Sequence, residues 1–427
     1  MSDTHLLVSL DWQGQLHRIG HLEIHKSRGR ENYRFIYERT WIKHPNRFAI
    51  DPELPLLVDM PYLNNRLWGA FQDISPDRWG RLIQTRATGI FLSDSDYMLG
   101  VSDYMRMGGL RLSHSHTPDV FLAEHTNIPK LIHMRQLETA ARHFESGTET
   151  AADLAMLAQP GSSLGGARPK AAIEDAGELW IAKFSSQNDT ERVSLWEAVM
   201  LDLAQQAGIE VTAFRVLNAK SDSPVLLVKR FDREKTLRTP FMSAMTLLGR
   251  NEDTKEGASY LEIADAINRE SAQPAQDRLE LWRRMTFNAM TGNIDDHLRN
   301  HGFLRVSQGW RLAPAYDLNP TTQPFTQRVH QLAFNQSVKP SLDTCLELAE
   351  YFALNQSVTD LALQKIGKSL GNWQLTAKRH QLRSDEIKRM APSFEHEDSQ
   401  RLIAMSHKNN FTFTQQLMAD SYYVWRY

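Results

Sequence analysis

Between Asn293 and Pro320 the chain alternates polar and apolar stretches in an order that few folds accommodate. Asn293-Ile294-Asp295-Asp296-His297-Leu298-Arg299-Asn300 is a polar loop. It is followed by the strand-like His301-Gly302-Phe303-Leu304, a turn at Gln308-Gly309, and Arg311-Leu312-Ala313-Pro314-Ala315-Tyr316-Asp317-Leu318-Asn319-Pro320. From about residue 240 onward the sequence otherwise carries helical periodicity, so this segment requires a β-hairpin set into a helical unit, with an acid just beyond it.

An Asp five positions before an Asn lets one loop place a base beside a hydroxyl and an amide oxygen on magnesium. Asp295 and Asn300 have that spacing, and Asp317 stands where a carboxylate would bind magnesium bridging ATP phosphates. Each also has a plainer reading. Asp295-Asp296-His297 alone is a polar loop, and Asp317 before Leu-Asn-Pro is a turn cap. A zinc site is disfavoured, because such sites normally show more ligands nearby.

Two further elements precede these in the order that phosphoryl transfer needs. Ser162-Ser163-Leu164-Gly165-Gly166-Ala167-Arg168-Pro169-Lys170 joins adjacent glycines, which let backbone N–H groups approach phosphate, to basic residues. It is not the GxxxxGK[ST] loop, and a bare glycine pair is more often a simple turn. Lys183 closes the apolar strand Leu179-Trp180-Ile181-Ala182-Lys183-Phe184, and Glu197 in the next helix is placed to orient it or to face solvent. Four such elements in the correct order are far less expected by chance than any one alone.

The other segments bound the class. The 427 residues suffice for two or three packed units. With 49 basic and 51 acidic side chains, the chain as a whole has no electrostatic footprint for nucleic acid. The single cysteine, Cys345, excludes an intrachain disulfide and reads as buried structure within Asp343-Thr344-Cys345-Leu346. No basic start with a long apolar stretch opens the chain and no apolar run approaches a membrane span, so a cytoplasmic protein with no membrane contact is expected.

Gln13-Gly14 sits between two apolar segments as a turn, Ser75 and Pro76 suit a helix start, and residues 128–157 read as helical. Gly177 divides a hairpin, and the helix over Glu191–Gly208 puts Trp196, Val199, Met200, Leu203 and Ala207 on one face. The resulting organisation is a β-rich unit over 1–125, a second unit over 126–235 with the glycine-rich loop, and a mainly helical unit over 236–427.

On these motifs, together with ISPDRWGRL at 74–82 and LGVSDYMRMGGLRL at 99–112, the chain resembles the HipA family, kinase toxins of bacterial toxin–antitoxin pairs. The resemblance implies an α+β, two-lobed protein-kinase-like fold with an extra N-terminal β-rich subdomain, using ATP and magnesium (Mg2+). It makes Asp295 the catalytic base. It gives Gly165, Gly166, Ala167, Arg168, Pro169 and Lys170 to the phosphate loop, Lys183 to phosphate pairing, and Lys229, Arg230 and Phe231 to the linker edging adenine. His297, Leu298, Arg299, Asn300, Tyr316, Asp317, Leu318 and Asn319 supply the remaining nucleotide contacts, with Asn300 and Asp317 on the metal. Lys229 departs from the acidic residue that family members can carry there.

The resemblance further implies serine/threonine kinase activity, autophosphorylation of Ser163, or of its neighbour Ser162, and a translation component such as an aminoacyl-tRNA synthetase as target. Its partner would be a helix-turn-helix, HipB-like antitoxin through which DNA is met indirectly; a homodimer is compatible with the family. A small-molecule kinase and a non-catalytic co-repressor or binding module stay open beside it.

Overall fold

The computed structural model describes residues 2–123, 128–158, 168–251, 258–322 and 341–407. These fall into two compact units, each assembled from separated stretches: 1–194 with 212–254 and 301–313, and 195–211 with 255–300 and 314–427.

The first unit opens with an antiparallel sheet of β1 (Ser2–Trp12), β2 (Gln15–Ser27), β3 (Arg30–Tyr37), β4 (Tyr62–Asn64) and β5 (Leu110–His114), in the order β4-β3-β2-β1-β5. Gln13 and Gly14, both at positive φ, form the expected two-residue turn, with Trp12 paired to Gln15. Leu6, Val8, Leu22, Ile24 and Phe35 are buried on this sheet.

A second sheet contains β6 (Lys170–Asp175), β7 (Glu178–Lys183), β8 (Phe214–Leu217) and β9 (Val225–Lys229), ordered β6-β7-β9-β8. Ala176 and Gly177, at φ 53° and 77°, make the turn between β6 and β7. Two strands, β10 (Arg233–Glu234) and β11 (Leu237–Arg238), form a short hairpin. The third sheet is β12 (Phe241–Ser243), β13 (Gly302–Val306) and β14 (Gly309–Leu312). Its turn is Ser307-Gln308, one residue earlier than the sequence suggested, with Val306 paired to Gly309.

Residue 125, near which a boundary is expected, lies within the stretch 1–194 of the first compact unit. Trp79 and Ile83, from the helix Arg78–Thr88, share one apolar cluster with Leu137 and Phe144 and with Ala171, Ile173, Ala182 and Leu227 of the second sheet. Burial of a common core makes these stretches one unit. Two local expectations also shift. The cap of Arg78–Thr88 is Asp77, whose carboxylate accepts from Gly80 N–H at 2.9 Å, rather than Ser75. Residues 128–157 are not one helix: a 3-10 turn leads into Met134–Ser146, which Gly147 ends at φ 69°, and Ala151–Ala158 is separate.

The second unit is helical. Its long elements include Tyr260–Glu270, Pro274–Met290, Gln356–Gly371, Ser384–Phe394 and Glu397–Ser406, with most of Val193–Gln206. Trp196, Val199, Met200, Leu203 and Ala207 are all buried, as their spacing required, and the Phe394 ring stacks on Trp373 at 4.7 Å. Cys345 is fully buried; its carbonyl accepts from the Trp282 indole at 2.9 Å. Among the described residues no helix is long and apolar enough to cross a membrane.

Candidate active site

The helix Pro274–Met290 delivers the polar loop. Trp282, Met285, Phe287 and Met290 are buried along it, which fixes where it ends. Gly292 then reverses the chain at φ 64°, and a Cβ there would lie 3.1 Å from Ser393 Cβ and 3.3 Å from the Thr321 carbonyl. Only glycine fits both the dihedral and the space. The Thr321 N–H donates to the Gly292 carbonyl at 3.2 Å, tying the start of the loop to the segment that follows Asp317.

A buried polar chain then sorts two adjacent carboxylates. The Asn293 amide donates to Asn288 Oδ1 at 3.2 Å, the Asn288 amide donates to the Tyr260 hydroxyl at 3.3 Å, and that hydroxyl donates to Asp296. Asp296 is therefore held inside, 2% exposed, while Asp295 is exposed. Of the pair, Asp295 alone is presented where a substrate hydroxyl can approach.

The loop closes in a tight turn. Asp295 O accepts from His297 N–H at 3.2 Å, His297 O accepts from Asn300 N–H at 2.8 Å, and a 3-10 turn covers Leu298–Asn300. The Asn300 side-chain amide donates to the Asp295 carbonyl at 3.0 Å. An amide that donates to a carbonyl must turn its NH2 toward it, which directs Oδ1 the other way. That oxygen is buried and has no hydrogen-bond partner.

The segment beyond the hairpin is bound to this loop. The Tyr316 hydroxyl donates to the Arg299 carbonyl at 2.6 Å, and Ala315 N–H donates to the Glu210 carbonyl at 2.7 Å. Asp317 sits at φ 57°, a left-handed conformation that costs a non-glycine residue about 1–3 kcal/mol and concentrates at functional sites. The Asn319 amide donates to Asp317 Oδ1 at 3.3 Å, leaving Asn319 Oδ1 buried and unpartnered.

These acceptors are hard oxygens: an amide oxygen without a donor and a carboxylate. They fit magnesium, which takes few protein oxygens and leaves other positions to phosphates and water. Among the described residues no group of three His, Cys, Asp or Glu could hold a metal, so the donor set differs from a zinc site.

In the first unit, Lys183 ends β7, paired with Lys170 at the start of β6, and its carbonyl accepts from the Ser194 hydroxyl at 3.3 Å. Glu197, in the second unit, is 3% exposed, which removes the reading of it as a solvent-facing helix residue. Lys170 is also buried: its ammonium lies 2.7 Å from Asp77 Oδ2, and its carbonyl accepts from the Trp79 indole at 3.0 Å. Its charge is thus balanced inside the protein, and it anchors the strand that follows the glycine-rich segment. Arg168 pairs with Asp189. Ser162, Ser163, Gly165, Gly166 and Ala167 lie outside the described residues.

In the linker, the Arg230 side chain is bound within the protein. Its guanidinium is fully buried and gives 2.6 Å bonds to both oxygens of Asp232, so this side chain is structural. Lys229 reaches Glu178 at 2.5 Å. Backbone N–H groups of Lys229 and Arg230 donate to the Ala213 and Leu179 carbonyls, at 2.8 and 2.9 Å. An adenine edge read by backbone would fall to other groups of this linker. Phe231 packs with its ring centroid 6.1 Å from that of Phe241.

Tyr260, Asn288 and Asp77 carry positions that the motifs did not reveal. Ser259 and Glu262 do mark the helix start beside Tyr260 as a capping box, but its hydroxyl partner lies 36 positions away.

The two units, the antiparallel sheets and the helical second unit define a kinase-like fold. The structure superposes on a chain of the Shewanella oneidensis MR-1 toxin–antitoxin complex of HipA, HipB and operator DNA with a TM-score of 0.66 at 17% identity, covering 93% of this chain and 96% of that one. The HipA N-terminal domain matches residues 12–100 and the HipA-like C-terminal domain matches residues 162–390. The chain belongs to the HipA family. Two Sinorhizobium fredii (strain NBRC 101917 / NGR234) proteins are also similar: "Putative kinase Y4mE", 31% identical over 29% of this chain, and "Putative kinase Y4dM", 27% identical over 52% of it. The matched regions span 32% and 59% of those two proteins.

Proposed function

We propose that the chain is an ATP- and magnesium-dependent protein serine/threonine kinase and the toxin of a toxin–antitoxin pair. The observation that carries the reading is the loop in which exposed Asp295 and the unpartnered oxygen of Asn300 are fixed to each other by one hydrogen bond. Asp295 accepts the proton of the attacking hydroxyl, and Asn300 and Asp317 hold the metal; bound magnesium neutralises charge on the phosphate oxygens. Lys183 pairs with phosphate, and the glycine-rich segment cradles it.

The reading extends to a HipB-like helix-turn-helix partner that meets DNA, by likeness to the Shewanella complex, and to a translation component such as an aminoacyl-tRNA synthetase as target. It also places the protein in the cytoplasm. Autophosphorylation falls on Ser163, or on Ser162, beside the glycine-rich segment. Phosphopeptide mapping of wild type and Asp295→Ala after incubation with ATP and magnesium tests it: phosphate on either serine in wild type alone is expected. ATP binding with no phosphate transferred to any protein would favour a small-molecule kinase or a binding module instead.

A further inference from the structure

The β10–β11 hairpin and the end of the first sheet enclose a cleft of about 370 Å³. Its walls carry four cations, Arg111, Arg233, Lys235 and Arg238, against one carboxylate, Asp11, with Tyr104 beside them. Two buried carboxylates stand behind the cations. Asp103 binds Arg111 at 2.5 Å and Arg238 at 3.0 Å, and Asp232 binds Arg233 at 2.5 Å. Asp11 stands off, 3.6 Å from Arg111 and 3.8 Å from Arg238, beyond hydrogen-bond reach. Since Asp232 also serves Arg230, positive charge exceeds negative around the cleft.

Two donors are left over. Arg238 is 6% exposed, and its Nη1 is buried with no hydrogen-bond partner. Lys235, exposed at the hairpin tip, has no acceptor among the described residues. It is also held at φ 53°, a conformation for which a turn would ordinarily use glycine. Burial pushes the Arg233 guanidinium down to about 9, with Arg238 and Arg230 adding to the fall and Asp232 and Asp103 opposing it.

We infer that this cleft is an anion site for a phosphomonoester dianion, received by the Lys235 ammonium and the Tyr104 hydroxyl, with the Arg238 guanidinium behind them supplying charge. A dianion with several acceptor oxygens uses converging donors that a single carboxylate would leave unmet. The inference stands apart from the kinase reading, because every residue it uses lies in the first unit and none belongs to the proposed phosphoryl-transfer machinery.

Titration calorimetry of the full chain and of Lys235→Gln, with inorganic phosphate, with a phosphoserine peptide and with acetate, tests it. Saturable one-to-one phosphate binding is expected in wild type, weakened at least about tenfold in Lys235→Gln, with unfolding temperature unchanged in phosphate-free buffer. Tighter binding of the peptide than of inorganic phosphate assigns the site to a phosphorylated protein, and the reverse assigns it to a free phosphate. Equal phosphate affinity in both proteins, no saturable binding, or acetate binding as well as phosphate would overturn the inference.

Discussion

The Asn300 amide donates to the Asp295 carbonyl at 3.0 Å, so one hydrogen bond ties the backbone of the proposed base to the side chain whose oxygen is proposed to hold the metal. The bond closes the loop and fixes which end of the Asn300 amide is left to accept. Five residues of spacing suffice because the 3-10 turn at Leu298–Asn300 shortens the path. Asp296, one residue from Asp295, is drawn the other way by Tyr260.

Replacing Asn300 by Ala removes the only group whose oxygen that bond orients. The gain in ATP affinity on adding magnesium should fall at least about tenfold, whereas metal-free ATP affinity should change little. Calorimetric titration with and without magnesium checks this.

Tyr260→Phe leaves the buried Asp296 carboxylate short of a donor. A hydrogen bond to a charged group is worth about 1.5–3 kcal/mol, so stability should drop by about that amount. Phosphoryl transfer should fall too, because Asp296 holds the loop that carries Asp295. Urea unfolding and a transfer assay on the same preparation read both effects.

Gly292→Ala is expected to destabilise by about 1–3 kcal/mol, since φ 64° is unfavourable for alanine and the added methyl meets Ser393 at 3.1 Å. A shift of the urea midpoint at unchanged slope would check the figure.

Lys170→Met leaves Asp77 buried without its cation and should cost about 3–5 kcal/mol. Asn at position 77 can still cap the helix Arg78–Thr88. The double variant Asp77→Asn with Lys170→Met should therefore be less destabilised than the sum of the single changes. A double-mutant cycle measures that coupling.

Burial alone would raise Asp232, but Arg230 and Arg233 hold its carboxyl down to about 2. The folded value lies below the unfolded one, so this group's contribution is complete above about pH 4 and is lost as pH falls through about 2. Wild type should lose unfolding free energy across that window, while Asp232→Asn, already weaker at neutral pH by about 3–5 kcal/mol, should lack this part of the slope. Denaturant unfolding at a series of pH values tests the difference.

Local spacing carried what was legible beforehand. Asp295 to Asn300 lies within one loop, the turns at Gln13-Gly14 and Gly177 are marked by their glycines, and the burial of Cys345 follows from its apolar neighbours. Long-range partners were not legible. Nothing near Lys170 marks its pairing with Asp77, 93 positions earlier, and nothing near Arg230 marks its bond to the Met105 carbonyl, 125 positions earlier. The apolar cluster that joins Trp79 to the second sheet was illegible for the same reason, since Trp79 meets its packing partners only in the folded chain. Ser75 and Asp77 are both competent caps, and tertiary pairing of Asp77 with Lys170 favours the later one. Gly147 was a stop signal within reach of the sequence reading of 128–157.

The most direct measurement is the initial rate of γ-phosphate transfer from labelled ATP by wild type and Asp295→Asn, at saturating ATP and magnesium, alongside ATP affinity for each. The account predicts transfer by wild type, a fall of about 10²–10⁴-fold in Asp295→Asn, and closely matched ATP affinities. Transfer by Asp295→Asn at the wild-type rate, or none by wild type with ATP bound, would contradict it.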